Sequence, residues 1–164
     1  MQSCENDLLK ANINRAFGGR LRLRVCGLLY NSHGVLLIKH NGIGKAGYLW
    51  APPGGQPDFT ETMPQALERE FIEETGLKVS VGRLLCVNEY LEPPLHAAEI
   101  FFEVKLISGT PVQGHDPELT PDQQMLGEAR YFSPADIALT DPVTLHNLFR
   151  RPMPEGGFGG YYFG

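Results

Sequence analysis

Residues 55–77 read Gly-Gln-Pro-Asp-Phe-Thr-Glu-Thr-Met-Pro-Gln-Ala-Leu-Glu-Arg-Glu-Phe-Ile-Glu-Glu-Thr-Gly-Leu. The stretch predicts a loop feeding a helix that carries a cluster of acids. Thr62 is the expected N-cap, and Gln65, three residues on, completes a capping box. Pro64 falls in the first turn, where its missing N–H removes no hydrogen bond. Good helix formers then run to Thr75, and Gly76 supplies the stop. Glu70, Glu73 and Glu74 are spaced i, i+3, i+4, so one face of the helix holds all three carboxylates. Like charges at that spacing repel by about 0.2–0.5 kcal/mol per pair in water, and by more when partly buried. A positive group between them would relieve this, and hard divalent cations such as Mg²⁺ or Mn²⁺ suit an all-oxygen ligand set. Arg69, i, i+4 from Glu73, is placed to hold that carboxylate. Taken alone, Glu-x-x-Glu-Glu is most simply an acidic face turned to water.

The wider spacing points elsewhere. Gly55, five residues, Glu61, seven residues, then Arg69-Glu70-Phe71-Ile72-Glu73-Glu74-Thr75-Gly76-Leu77 resembles the Nudix box, Gly-x5-Glu-x7-Arg-Glu-U-x-Glu-Glu-x-Gly-U, with U a bulky apolar residue. The one departure is Phe71, at a position more often filled by Ile, Leu or Val. The leader Trp50-Ala51-Pro52-Pro53-Gly54-Gly55 is also similar to the family's run into the box. The resemblance implies a Nudix fold, an α/β domain whose mixed β-sheet is sandwiched between α-helices. That domain would span residues 20–150, with 1–19 as an N-terminal extension and 151–164 as a Gly/aromatic tail.

It also implies an activity, hydrolysis of the diphosphate in a nucleoside diphosphate linked to another group. Attack of water on phosphorus needs an activated nucleophile and positive charge against the phosphate oxygens, and metal ions supply both. By resemblance, Glu70, Glu73 and Glu74 are the metal ligands, and Glu70 alternatively the general base. Arg69 orients the carboxylates, and Gly55 offers a backbone carbonyl to a metal. Glu61 is a supporting acid or a contact at the start of the helix. Some family members recruit an acid from a later loop, for which Asp116, Glu118 and Asp122 are the candidates.

Length and composition fit this picture. The chain has 164 residues, 42% of them hydrophobic, enough for one core. A net charge of −5 argues against a nucleic-acid polymer or an anionic membrane as partner, while leaving a small nucleotide substrate open. Cys4, Cys26 and Cys86 form no CxxC pair and suit a reducing compartment. No signal peptide or membrane-length apolar run is visible, so a cytoplasmic protein is the expectation.

Along the chain, residues 1–18 read as a weak amphipathic helix ended by Gly18-Gly19. Leu21, Leu23 and Val25 alternate with Arg20, Arg22 and Arg24, a half-buried strand continuing to Tyr30. A turn at Asn31-Ser32-His33-Gly34 returns a second strand to Lys39. The glycine-bearing loop 41–47 lacks a P-loop pattern. Further strands are expected at 48–51, 79–90, 99–107 and 128–132, the last of these being the final strand of the chain, with Glu92-Pro93-Pro94-Leu95-His96 in the loop between the second and third. Ser133 caps a short helix, and Asp141-Pro142 begins another reaching about Arg150. Four aromatics in the tail leave docking or mobility open.

For the substrate, Arg22 and Arg24 on one strand face, Lys39 near the box loop and Trp50 as a stacking surface are the candidate contacts. An exposed charged strand and core packing are the plainer explanations. His33 and His96 lie in loops without a partner acid. Pro93 stands 16 residues after Leu77, a spacing that resembles ADP-ribose-type pyrophosphatases. Three functions stay open: a hydrolase of ADP-ribose or nucleotide sugars, a sanitiser of oxidised or non-standard nucleoside triphosphates, and a non-catalytic nucleotide sensor. A homodimer is compatible with the resemblance.

Overall fold

The computed structural model describes residues 2–115, 124–151 and 161–163. The described elements are α1 (Gln2–Phe17), β1 (Leu21–Asn31), β2 (Gly34–Asn41), β3 (Tyr48–Ala51), β4 (Gly54–Gly55), α2 (Met63–Thr75), β5 (Lys78–Glu92), β6 (Leu95–Ser108), β7 (Leu126–Phe132), α3 (Pro134–Leu139) and β8 (Tyr161–Phe163). Strands follow the order β3-β2-β1-β6-β5-β8 in a mixed sheet, with β7 added to β2 and β4 to β1. β1 runs parallel to β6, and β5 and β6 form a long antiparallel pair.

Two apolar layers cover the sheet, because alternate residues of each strand face opposite sides. Val25, Leu29, Leu36 and Val104 pack under Leu67 and Phe71 of α2. Cys26, Leu28, Leu37 and Phe101 pack under Leu145 and Leu148 of the C-terminal segment, with Ile137 of α3 alongside. This is the expected sandwich. α2 begins and ends as its sequence predicts. Thr62 and Gln65 bond reciprocally as a capping box, and Gly76 takes the left-handed conformation at φ 70° that stops the helix. The fully buried Phe71 ring fixes the helix on the sheet, and a truncation to Ala would cost about 3–5 kcal/mol. Its anchorage sets where the neighbouring acids point.

Several boundaries differ from expectation. The loop expected at residues 92–96 is reduced to a tight hairpin at Pro93-Pro94, because β5 and β6 extend to Glu92 and Leu95 and pair there. The helix expected from Asp141 is instead two separate 3₁₀ turns, Pro142–Thr144 and Asn147–Arg150. Between them Leu145 bridges to Trp50, and the His146 N–H donates to the Trp50 carbonyl, which interrupts helical bonding. β7 is not the last strand: Tyr161–Phe163 of the tail adds a short strand parallel to β5.

β1 and β2 pair only at Tyr30↔Val35 and Asn31↔Gly34. Towards the start of β1 its edge is taken by β4, with Val25 opposite Gly55. The cleft beside this divergence holds the candidate site. Among the described residues no helix is long and apolar enough to cross a membrane.

Candidate active site

A cavity of about 290 Å³ opens between α1, the start of β1, β4 and α2. Asp58, Glu70, Glu73 and Glu74 line one side of it. Arg20, Arg22 and Arg24 line it from β1 and the turn before β1.

The acids are organised by Arg69. Its Nε and Nη2 donate to the two carboxylate oxygens of Glu61, each at 3.0 Å. Nη1 reaches Glu70 at 3.0 Å and Glu73 at 3.1 Å. Such charge-assisted bonds lock rotamers that would otherwise spread apart. Glu61 thus acts on the site through Arg69 and does not line the cavity. Glu74 is buried, and its Oε2 accepts the Gly54 N–H at 2.9 Å. Burial pushes the Glu70 carboxyl up to about 7, against the pull of Arg69 and Arg24. Gly55 carries no side chain where the Glu70 carboxylate sits, and a Cβ there would collide with it.

The basic side reverses the usual reading of an alternating strand. Leu21 and Leu23 are 64% and 43% exposed, while Arg22 and Arg24 turn towards the cavity. Arg24 Nη2 donates to the Gly54 carbonyl at 2.7 Å, so the Gly54 residue is held between Arg24 and Glu74. Behind Arg24 lies Glu99, its register partner on β6, with Arg24 Nε 3.7 Å from Glu99 Oε1. Asn88 donates to Glu99 at 2.9 Å, and His146 Nε2 lies 2.8 Å from it. Burial opposes the charge on Glu99, but His146, Arg24 and Asn88 outweigh it and hold the carboxyl down at about 2.

The remaining sequence candidates are dispersed. Trp50 is buried in the core, edge-on to Phe132 at 4.8 Å, and does not line the cavity. Lys39 is half-buried with its Nζ 4.4 Å from the centre of the Tyr48 ring, and it too lies outside the lining. Pro93 lines a neighbouring cavity of about 250 Å³ that shares Ile43 and Leu95 with the first. Asp116, Glu118 and Asp122 lie outside the described residues. His96 does have a partner acid, Glu89, at 2.6 Å, because the β5–β6 pairing extends further than the sequence suggests.

Sequence reasoning missed Glu99, His146, His40 and the α1 residues Ile13 and Phe17. Glu99 left a trace, a lone acid opening an apolar strand. The others left none, because their placement depends on register and on docking of α1.

Among the described residues no three His, Cys, Asp or Glu side chains stand close enough to clasp a metal ion as they are. Their chemistry nevertheless fits a hard divalent cation. The donors are all carboxylate oxygens. Glu70 is strained towards protonation by burial, and the side-chain-free Gly55 gives its carboxylate room beside β4.

Comparison with known proteins bears on the family and the fold. Residues 20–153 match the NUDIX domain family. Phosphatase NudJ of Escherichia coli K12 is 28% identical over 85 residues, 51% of this chain and 54% of that protein, so the chain spans about half the length of the curated relatives it matches. A MutT NUDIX hydrolase from Burkholderia pseudomallei superposes with a TM-score of 0.60 at 26% identity, covering 80% of this chain and 95% of that one. A NUDIX hydrolase from Nitrosomonas europaea superposes at 0.65 with 20% identity over 80% and 84% of the two chains, a likeness of fold. With the match running from the first cavity arginine through the box to the C-terminal 3₁₀ turns, the chain belongs to the Nudix hydrolase family.

Proposed function

We propose that the protein is a metal-dependent pyrophosphohydrolase that cleaves the diphosphate of a nucleoside diphosphate linked to a second group, ADP-ribose or a nucleotide sugar being the favoured class. The observation that carries this reading is that one cavity is lined both by Glu70, Glu73 and Glu74 and by Arg20, Arg22 and Arg24. Opposed charge of that kind suits a diphosphate, with the acids available to hold the divalent cations that would assist its cleavage. The adjoining cavity at Pro93 offers room for the second group, with Lys10, Asn14, Lys45 and Tyr90 in its walls.

In this reading Glu70, Glu73 and Glu74 would hold Mg²⁺ or Mn²⁺, with the Gly55 carbonyl as a further oxygen. A bound cation would supply positive charge against the diphosphate oxygens and acidify a water molecule. Arg69 keeps Glu70 and Glu73 in place. In the alternative role for Glu70, its carboxylate would act as general base, directly or by orienting the attacking water. Arg22 and Arg24 meet the phosphate oxygens, and Arg24 also fixes the Gly54 carbonyl. The two described free cysteines are buried, which fits work in a reducing, cytoplasmic compartment.

The test is a product analysis on the purified protein with Mg²⁺ or Mn²⁺, using a panel that includes ADP-ribose and 8-oxo-dGTP. Release of AMP and ribose phosphate supports the proposal. Release of a nucleoside monophosphate and pyrophosphate from 8-oxo-dGTP alone would make the protein a sanitiser. Ligand binding without turnover of any compound would make it a sensor, and would sink the hydrolase reading.

A further inference from the structure

α1 lies outside the region matched to the Nudix family, yet it builds part of the cavity. Ile13 is 3% exposed and packs with Leu49, Tyr90, Leu95 and Met125. The docking is close: Gly42, at φ 78°, leaves the space that the Leu9 and Ile13 side chains take, and a Cβ there would strike both. At the end of the helix the Gly19 N–H donates to the Pro94 carbonyl at 2.9 Å, and Arg20 Nη2 donates to the Ala16 carbonyl at 2.7 Å. Phe17 is thereby held at the cavity, with the Arg22 guanidinium 4.7 Å from its ring centre.

The cavity therefore has a third wall, apolar where the other two are charged, made by Ile13, Phe17, Ile43, Leu95 and Met125. A sugar would bury its hydroxyls there without partners, at a penalty for each. A flat heteroaromatic ring would not, because both its faces are apolar and stackable. Besides the arginines, a neutral polar group lines the cavity. His40 is buried, lines the cavity, and its Nε2 has no hydrogen-bond partner. Burial and Arg24 keep this imidazole neutral, with its pKa down at about 3. A neutral ring nitrogen can exchange one hydrogen bond with the edge of a base.

We propose that α1 is the specificity element of the site, and that its Phe17 face takes the nucleobase of the substrate while the arginines and acids hold the diphosphate. This deepens the hydrolase reading and rests on it for the diphosphate. The orientation follows: the base lies against α1 and the second group points to the Pro93 cavity.

Binding without turnover separates the two claims. The full chain, with Mg²⁺, is titrated calorimetrically with α,β-methylene-ADP and with methylenediphosphonate, which has the same P–C–P unit and no ring. The parent is expected to bind the nucleoside compound at least tenfold more tightly. Phe17→Ala is expected to weaken that compound about tenfold, in line with base–aromatic stacking, and to leave methylenediphosphonate unchanged. Phe17→Trp should restore the difference. Phe17→Leu, which keeps apolar packing but loses the flat face, should also lose it, and it replaces the Ala variant if that does not fold. Equal weakening of both compounds would mean that Phe17 acts only by steadying Arg22, and overturns the inference. So would a parent that binds both alike. Ring-selective binding with no hydrolysis of any substrate would sink the hydrolase proposal and leave the role of α1 standing.

Discussion

The two sides of the cavity are built in opposite ways. The acidic side comes from one continuous stretch, Gly54 to Glu74, in which helix periodicity alone puts Glu70, Glu73 and Glu74 on a common face. The rest of the lining draws Phe17 from α1, Arg22 and Arg24 from β1, His40 from β2 and Leu95 from β6. Local geometry fixes the first, and tertiary register fixes the second. The contrast suggests a division of labour, with bond cleavage on the local side and recognition on the assembled one.

The strongest test of that division is Glu74→Gln. The amide oxygen can still accept the Gly54 N–H, so the fold should hold, while the charge is lost. We expect kcat to fall about 10²–10³-fold with a thermal midpoint close to the parent, checked by steady-state kinetics and a melt. Retained turnover would show that the acidic side does not do the chemistry.

Gly55→Ala comes next. Its Cβ would occupy the place of the Glu70 carboxylate, and small displacements of reacting groups can cost about 10²-fold in rate. A drop in kcat of roughly 10- to 100-fold at unchanged fold, seen by circular dichroism, is the expected outcome. An Ala variant as active as the parent would mean that the Glu70 position is not critical.

On the assembled side, Arg24→Lys keeps the charge and loses the fork that spans the Gly54 carbonyl and Glu99. The expectation is a KM raised about tenfold, the worth of one charge-assisted bond, with a smaller change in kcat. A kcat loss as large as that of Glu74→Gln would erase the distinction between the two sides.

The same contrast explains what could be read from the chain. The capping box, the Gly76 stop and the acid face of α2 are short-range facts, and residues 62–76 carry them all. Arg22 and Arg24 could be marked as one face of a strand, but not which way it turned. Alternation is symmetric, and the choice fell to Glu99 across the parallel β1–β6 pair. Core packing is the plainer reading of Trp50, but its partner is not legible in the sequence, because Phe132 lies far along the chain on β7. The 3₁₀ turns near the C-terminus replaced a helix for the same reason: the Trp50 carbonyl takes the His146 N–H. α1 is weakly patterned by itself, and its docking depends on the room left by Gly42 in a distant loop.

Finally, the two sides should respond to pH with opposite sign. Glu70 has its folded pKa raised to about 7 by burial, above roughly 4.3 in an unfolded chain. Between those values the folded state binds the extra proton, so this group's contribution to stability falls as pH rises. His40 has its folded pKa lowered to about 3 by burial and Arg24, below roughly 6.5 when unfolded. There the unfolded state binds the extra proton, so stability is full above pH 6.5 and falls as pH drops towards 3. Between pH 5.5 and 7 each effect amounts to about 1–2 kcal/mol, small enough to hide when both are present. Urea unfolding in the presence of a chelator at several pH values resolves them by subtraction. Glu70→Gln should make stability rise more steeply with pH than in the parent, and His40→Gln should make it rise less steeply. Slopes that shift in the same direction in both variants would contradict the environments assigned to the two sides, because one buried acid and one buried base cannot release protons on folding with the same sign.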